Sequence, residues 1–382
     1  MKILLPDING IPSSYYLQGS PILNANVGTN PARVIFSAAH VVSNPFSNND
    51  PSGSASIDWE KTISFRHHLV DMGLGIAEAM DTAQRGNGLD WPGALELIRQ
   101  TKKELPNALV ANGAGTDQLD LTDLGSLDDV RRAYFEQIDE IQKVGGQIIL
   151  MASRALAKLA KGPEDYISIY NEILRSCDQP VILHWLGDMF DPNLIGYWGS
   201  KLFEDALETV LTIIEANSAK VDGIKVSLLD SKKEIFMRGR LPDGVKMYTG
   251  DDFNYPELIE GDAQGYSHAL LGIFDPIAPA AAQAISKLGE GNIKSFRALL
   301  DPTVPLARHI FKTPTLHYKT GVVFLAWLNG FQDHFIMLNG AQAMRPLPYF
   351  VDCFKMADKC GVLRDPDMAV FRMKSLLRIY GL

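Results

Sequence analysis

One alternation constrains this chain more than any other feature. From Arg33 onward, short apolar runs take turns with longer amphipathic stretches. An apolar run followed by a stretch of helical period is the pattern of a strand–helix unit in a parallel sheet. The runs are Val34–His40, Leu74–Met80, Ala108–Asn112, Gln147–Ala152, Val181–Leu186, Gly223–Ser227, Val245–Thr249 and Gly265–Leu271. Between them, Ile57–Asp71 sets Trp59, Ile63, His67 and Val70 at helical spacing, and Leu127–Lys143 sets Val130, Tyr134, Ile138 and Ile141 on one face. Trp91–Glu104, Pro163–Arg175, Leu202–Asn217 and Ala278–Leu288 repeat the theme, while Asp252–Leu258 has room for only a short turn of helix. Eight such units predict an α/β chain built on a (β/α)8 barrel, the TIM barrel. A doubly wound sheet is the alternative. It lacks support because no Gly-rich dinucleotide fingerprint follows the first run.

The barrel is expected over residues 33–300. Residues 1–32, rich in Gly, Pro, Asn and Ser, read as an N-terminal arm or small hairpin. Residues 301–382 read as a C-terminal helical subdomain, with helical patterns at His317–Asn329, Pro348–Cys360 and Pro366–Tyr380. The charge-rich stretch Asp230–Lys246 reads as a solvated helix or loop face.

Composition narrows the partners. The 382 residues carry 45 acidic and 36 basic side chains, a net charge of −9, which argues against a general nucleic-acid or membrane-surface binder. No apolar run approaches the roughly 20 residues of a membrane span, and the opening MKILLPDING has too short an apolar part for a secretory signal. The three cysteines, Cys177, Cys353 and Cys360, form neither a CxxC nor a cysteine–histidine cluster. Reduced thiols in a cytoplasmic protein are the simplest reading.

The chemistry concentrates on one lysine. In Asp222-Gly-Ile-Lys-Val-Ser227, Ile224 and Val226 share an apolar face that belongs under the helices. Strand alternation then turns Lys225 and Ser227 into the barrel. An ammonium there loses hydration, its pKa falls, and the neutral amine becomes a nucleophile toward carbonyls. The competing reading is a lysine paired with a buried carboxylate, or one snorkelling to the barrel mouth.

Several further segments, in order, carry a resemblance. Val221-Asp-Gly-Ile-Lys225, Tyr248-Thr-Gly-Asp-Asp252, the stretch from Gly265 through Ile277-Ala-Pro279, Pro180-Val-Ile-Leu183 and Asn112-Gly-Ala-Gly115 together resemble the dihydrodipicolinate synthase and N-acetylneuraminate lyase family. These are class I aldolases that act on 2-oxo acids, and the similarity runs over roughly residues 33–360. The resemblance implies that Lys225 forms a Schiff base, that no cofactor is needed, and that the chain is a homo-oligomer. The departures are as informative. Where the family has a G-T-T-G-E loop that holds the substrate carboxylate, this chain reads Met80-Asp-Thr-Ala-Gln84, so Thr82 keeps a hydroxyl and Asp81 replaces its partner. Where the family has its proton-relay tyrosine in T-P-Y-Y, this chain reads Met151-Ala-Ser-Arg154, and the family's Y-N-V-P reads His184-Trp-Leu-Gly187. The pattern resembles a divergent branch in which the lysine stays while the clamp and shuttle are rewritten.

Replacements for the missing groups can be named. His184, ending its strand, suits proton transfer if its pKa lies near neutrality. Arg154 can clamp an anion or pair with Asp81 or Asp251, and Ser153 can relay a proton. Asp81, Thr82, His40, Asp251 and His268 are candidates for substrate contact, Asp251 being equally suited to capping its turn. The function expected is a Schiff-base lyase or aldolase acting on a small oxo acid or related carbonyl compound, with no nucleic-acid or membrane partner. Two alternatives remain open: a metal-dependent barrel using His40, Glu78, Asp81 or His268, and a barrel that binds a ligand without turnover.

Overall fold

A computed structural model describes residues 1–25, 27, 28, 31–48, 50 and 53–382; positions 26, 29 and 30 of the expected N-terminal arm lie outside it. Eight parallel strands close into a barrel: β1 (Ile35–Ala38), β2 (Gly75–Glu78), β3 (Val110–Ala114), β4 (Gln147–Leu150), β5 (Val181–Leu186), β6 (Val221–Ser227), β7 (Lys246–Thr249) and β8 (His268–Leu271). Each pairs with its sequence neighbour, and β8 pairs with both β7 and β1. Closure removes the doubly wound alternative. The chain has the (β/α)8 fold.

The interior follows from alternation. Phe36, Ala77, Ala111, Ile149, Ile182, Tyr248 and Leu270 form one buried cluster inside the barrel. Side chains at the intervening positions face the helix layer instead. A bulge between Val181 and Ile182 makes one strand skip a residue, so that Ile182 meets Gly223 and His184 meets Lys225.

Contacts group the described residues into two units. One comprises Arg33–Ala38 and Gly75–Leu271, and holds the whole barrel. Its helices begin where the sequence supplies caps. Asp90 accepts from Gly93 N ahead of Trp91–Glu104, and Ser126 with Asp129 forms a capping box ahead of Leu127–Val144. Pro163–Ser176 and Phe203–Ala216 bury their apolar faces. The charge-rich stretch is not a solvated face throughout. It contains a helix, Ser231–Arg238, whose Glu234 and Arg238 are buried, because Thr249 and Ser267 donate to Glu234 and Asp262 accepts from Arg238.

The other unit comprises Met1–Ala32, Ala39–Leu74 and Gly272–Leu382. It holds an antiparallel hairpin, Lys2–Pro6 with Pro12–Tyr16, and helices that include Trp59–Asp71, Ala278–Gly289, Tyr318–Leu328, Leu347–Lys359 and Pro366–Ile379. The hairpin is tied down by Tyr15, whose hydroxyl donates to Asp358 Oδ2 at 2.7 Å. Among the described residues no helix is long and apolar enough to cross a membrane.

Candidate active site

Lys225 lies near the C-terminal end of β6, the end of a barrel where chemistry takes place. Its register partners are His184 on β5 and Tyr248 on β7. Tyr248 belongs to the interior cluster, so the lysine points inward as alternation requires. It is only 7% exposed. Burial lowers its pKa, while the carboxylates of Asp81 and Asp252 pull in the opposite direction without reversing the shift. No carboxylate forms a close ion pair with it among the described residues, so the paired-lysine reading does not hold.

The turn after β7 is shaped around this amine. A Cβ at Gly250 would sit 2.8 Å from Lys225 Cε and closer still to Ser227 Oγ. Only glycine fits there, which gives the glycine of Tyr248-Thr-Gly-Asp-Asp252 a physical reason. His184 is fully buried, with Nε2 3.3 Å from Ser227 Oγ and, among the described residues, no hydrogen-bond partner on Nδ1. Burial, then the neighbouring Lys225, pushes its pKa well below the ordinary histidine value. The expected pKa near neutrality is therefore wrong. His184 is a neutral imidazole, able to donate from one nitrogen and accept at the other.

A small cleft, partly open to solvent, lies at this end of the barrel among the loops that follow β2 to β5; Lys225 is not among the residues that line it. Its walls include His184, Asp81, Arg85, Arg154, Asp117 and Asp191. Arg154, at the start of the helix Arg154–Leu159, pairs through Nε with Asp191 rather than with Asp81 or Asp251. Asp191 is fixed in turn by Asn193, whose backbone N and side-chain Nδ2 both donate to it. Ser153 is the N-cap of that helix. Its Oγ accepts from Leu156 N at 2.9 Å and shares a 2.6 Å hydrogen bond with Thr116 Oγ1.

Arg85 escaped the sequence reading. It is buried, donates to both oxygens of Asp117 at 2.7 and 2.8 Å, and also reaches Gln137 Oε1 and the carbonyls of Ala79 and Gly113. Burial raises the Asp117 pKa, but Arg85 and Gln137 outweigh it and hold the carboxyl below its usual value. The available signal was a single basic residue in the βα loop after β2, set against an aspartate in the loop after β3.

Other candidates serve elsewhere. Glu78 faces away from the interior: its oxygens accept from Ala79 N and from Thr101 Oγ1 of the helix Trp91–Glu104. His268 opens β8, and its Nδ1 accepts from Val34 N, which puts it at the N-terminal end of the barrel, remote from the βα loops. Asp251 caps its own turn, accepting from Phe253 N, Asn254 N and Asn254 Nδ2. Thr82 is buried in the short helical turn Asp81–Ala83. In the other unit, His40 is buried with Nδ1 2.7 Å from Asp275 Oδ2. Among the described residues, no three His, Cys, Asp or Glu side chains converge as metal ligands, and the orientations of Glu78 and His268 are the reason for two of the four proposed.

Comparison with known proteins places this geometry. No curated protein matches the sequence. Among solved structures, the fold is similar to the E. coli K12 prophage protein YagE, a member of the dihydrodipicolinic acid synthase family in complex with pyruvate (14% identity, 92% of this chain and 99% of that one, TM-score 0.63). It is similar also to the dihydrodipicolinate synthase of Acinetobacter baumannii complexed with pyruvate (14%, 91% and 100%, TM-score 0.63). A third is the dihydrodipicolinate synthase of Bacillus anthracis (18%, 80% and 91%, TM-score 0.59). The likeness that the motifs suggested is thus present in the fold. Residues 3–382 match the family model described as a protein of unknown function, DUF993, and the chain belongs to that family.

Proposed function

We propose that this chain is a lyase of the class I aldolase type, forming an imine between Lys225 Nζ and a small 2-oxo acid or related carbonyl compound. The observation that carries the reading is an inward-facing, desolvated lysine with no close carboxylate partner among the described residues, beside His184, near the C-terminal end of its barrel strand. Two structures of the same fold hold pyruvate, itself a 2-oxo acid, which supports carbonyl chemistry.

The steps follow from the groups present. The neutral amine attacks the carbonyl carbon, the C=O pair moves to oxygen, and that oxygen takes a proton. Loss of water leaves an iminium; as the β-hydroxyl gives up its proton, the Cα–Cβ bond breaks, the β carbon leaves as an aldehyde, and the electron pair of the broken bond moves to the iminium to give an enamine. Protonation at carbon and addition of water then release the product and restore the amine. His184, neutral and within reach of Ser227 Oγ, is suited to carry protons between substrate oxygen and the serine hydroxyl. Asp81 and Asp252 favour the positive iminium. Arg154, braced by Asp191 at the cleft wall, would orient the far end of the substrate.

The test is reductive trapping. Wild type and Lys225→Arg are incubated with borohydride and each of a panel of small carbonyl compounds, and intact mass is read. A single adduct on the wild type that is lost in the variant supports the proposal. Equal labelling of both proteins refutes it.

A further inference from the structure

The seat of Lys225 is held from behind. Gly250 lies against the lysine stem, where a Cβ would overlap Ser227 Oγ and come within 2.8 Å of Lys225 Cε. Its own N–H donates to Val226 O at 2.9 Å, which ties the turn to β6. One hydroxyl bridges the two sides of that glycine. Thr249 ends β7, and since Tyr248 faces the interior, Thr249 faces the helix layer. Its Oγ1 accepts from Asp251 N at 3.2 Å and so spans Gly250. A threonine hydroxyl has one proton to give, and here it goes to Glu234 Oε2 at 3.0 Å. Glu234 comes from the helix Ser231–Arg238, which follows β6, and is only 1% exposed. It is fixed in turn. Its Oε1 accepts from Ser267 Oγ at 2.7 Å, Ser267 Oγ accepts from Arg238 Nη1 at 3.3 Å, and Arg238 Nη2 donates to Asp262 Oδ2 at 2.7 Å. The steps given above leave this carboxyl without a part. A buried acid is a costly way to fill a space that an apolar side chain could take.

We propose that Glu234 is a positioning residue for Lys225: by orienting the Thr249 hydroxyl, it holds the turn that presses Gly250 against the lysine stem. The close approach of Gly250 excludes water from that side of the stem, and desolvation is what lowers the pKa of the amine. Without the hold the turn moves off, water reaches the amine, and the amine keeps its proton more tightly. The proposal deepens the imine reading, in which Lys225 is the nucleophile, by adding a residue that touches no substrate.

Trace acetic anhydride is the probe, because it acylates neutral amines without passing through an imine. The full chain is labelled from pH 6 to 11, and the yield on the Lys225 peptide is normalised to that of Nα-acetyl-lysine amide in the same tube. The wild type should give a midpoint below the ordinary lysine value of 10.5. Glu234→Leu, which cannot accept from Thr249, should move that midpoint up by about one pH unit, a tenfold gain in proton affinity. Thr249→Val removes the same hydrogen bond from its other end and should move the midpoint equally, and the double variant should move it no further. Glu234→Gln keeps an acceptor for Thr249 and should titrate as the wild type does. Loss of global stability alone leaves every midpoint in place. Midpoints unmoved in both Glu234→Leu and Thr249→Val overturn the proposal, as does a shift in Glu234→Gln as large as that in Glu234→Leu. If Glu234→Leu fails to fold, Thr249→Val, which keeps the side-chain shape, decides. Borohydride trapping of the wild type tests the imine reading separately: midpoints that shift as expected, with no carbonyl adduct on Lys225, overturn that reading and leave the seat standing.

Discussion

His184 and Lys225 stand at the same level of neighbouring parallel strands, both inside the barrel. Each is a base whose charged form is disfavoured by burial, and the lysine further depresses the histidine. On the proposed reading, the pair supplies a nucleophile and a neutral proton carrier side by side.

If His184 moves protons, removing it slows turnover without weakening binding. His184→Asn keeps a polar group of similar reach but cannot cycle a proton. Its kcat should fall by about 100-fold with little change in KM, within the range general acid–base catalysis supplies. Steady-state kinetics decides it, and an unchanged kcat removes His184 from the mechanism.

Gly250 is fixed by the two side chains it touches. Gly250→Ala places a methyl against Lys225 Cε and Ser227 Oγ. The cost should be about 1–3 kcal/mol of stability, as for other overpacked sites, together with a slower trapping rate at Lys225. Urea titration and adduct kinetics on the same sample read both effects. Wild-type stability and wild-type trapping in the variant would show that the turn yields freely.

The Arg154–Asp191 pair separates binding from stability. The Arg154 side chain is 33% exposed, so breaking the pair should cost less than about 1 kcal/mol. Because Asp191 sits in the loop after β5 and faces the cleft, Arg154→Ala should raise KM about tenfold while kcat stays within about twofold. A large fall in melting temperature with unaltered KM would mark the pair as structural only.

Glu234 makes stability depend on pH. Burial raises its pKa from 4.5 to about 8, with Asp251 adding to the shift and Ser267, Thr249 and Arg238 opposing it. Between those values the folded state holds a proton that the unfolded state has released. Stability from this group is present below pH 4.5 and is lost as pH rises through about 8. Glu234→Gln should therefore gain about 1–3 kcal/mol over wild type at pH 9 and little at pH 5. Thermal melts across that range test the sign, and a gain that is the same at both pH values contradicts it.

Alternation and strand order were legible in the residues; partners across loops were not. Val181–Leu186 is the strand the apolar run predicts, and Ile224 with Val226 on one face correctly turned Lys225 inward. The eighth strand shows how a small boundary error moves a site. The run from Gly265 put His268 inside the eighth strand, but Asp262 and Gly265 close a turn and the strand starts at His268, at the N-terminal end of the barrel. Glu78 was a candidate metal ligand, yet Ala77 takes the interior face of that strand and Glu78 accepts from Thr101 Oγ1 of the next helix. Arg154 found Asp191, 37 residues away in an irregular loop, a pairing no local pattern announces. Glu234 looked solvated because its helix is charged. Its burial depends on hydroxyls from Thr249 and Ser267, which come from other parts of the chain.

The central claim is a Lys225 amine that is neutral often enough to attack a carbonyl, and the pH dependence of its labelling tests that most directly. Peptide-resolved trapping with the same panel of small carbonyl compounds and cyanoborohydride is run from pH 6 to 11. The account predicts that Lys225 dominates the adducts at neutral pH and that its labelling rate levels off below the ordinary lysine value of 10.5. Adducts spread over exposed lysines, with Lys225 unlabelled or rising only near that ordinary value, would contradict it.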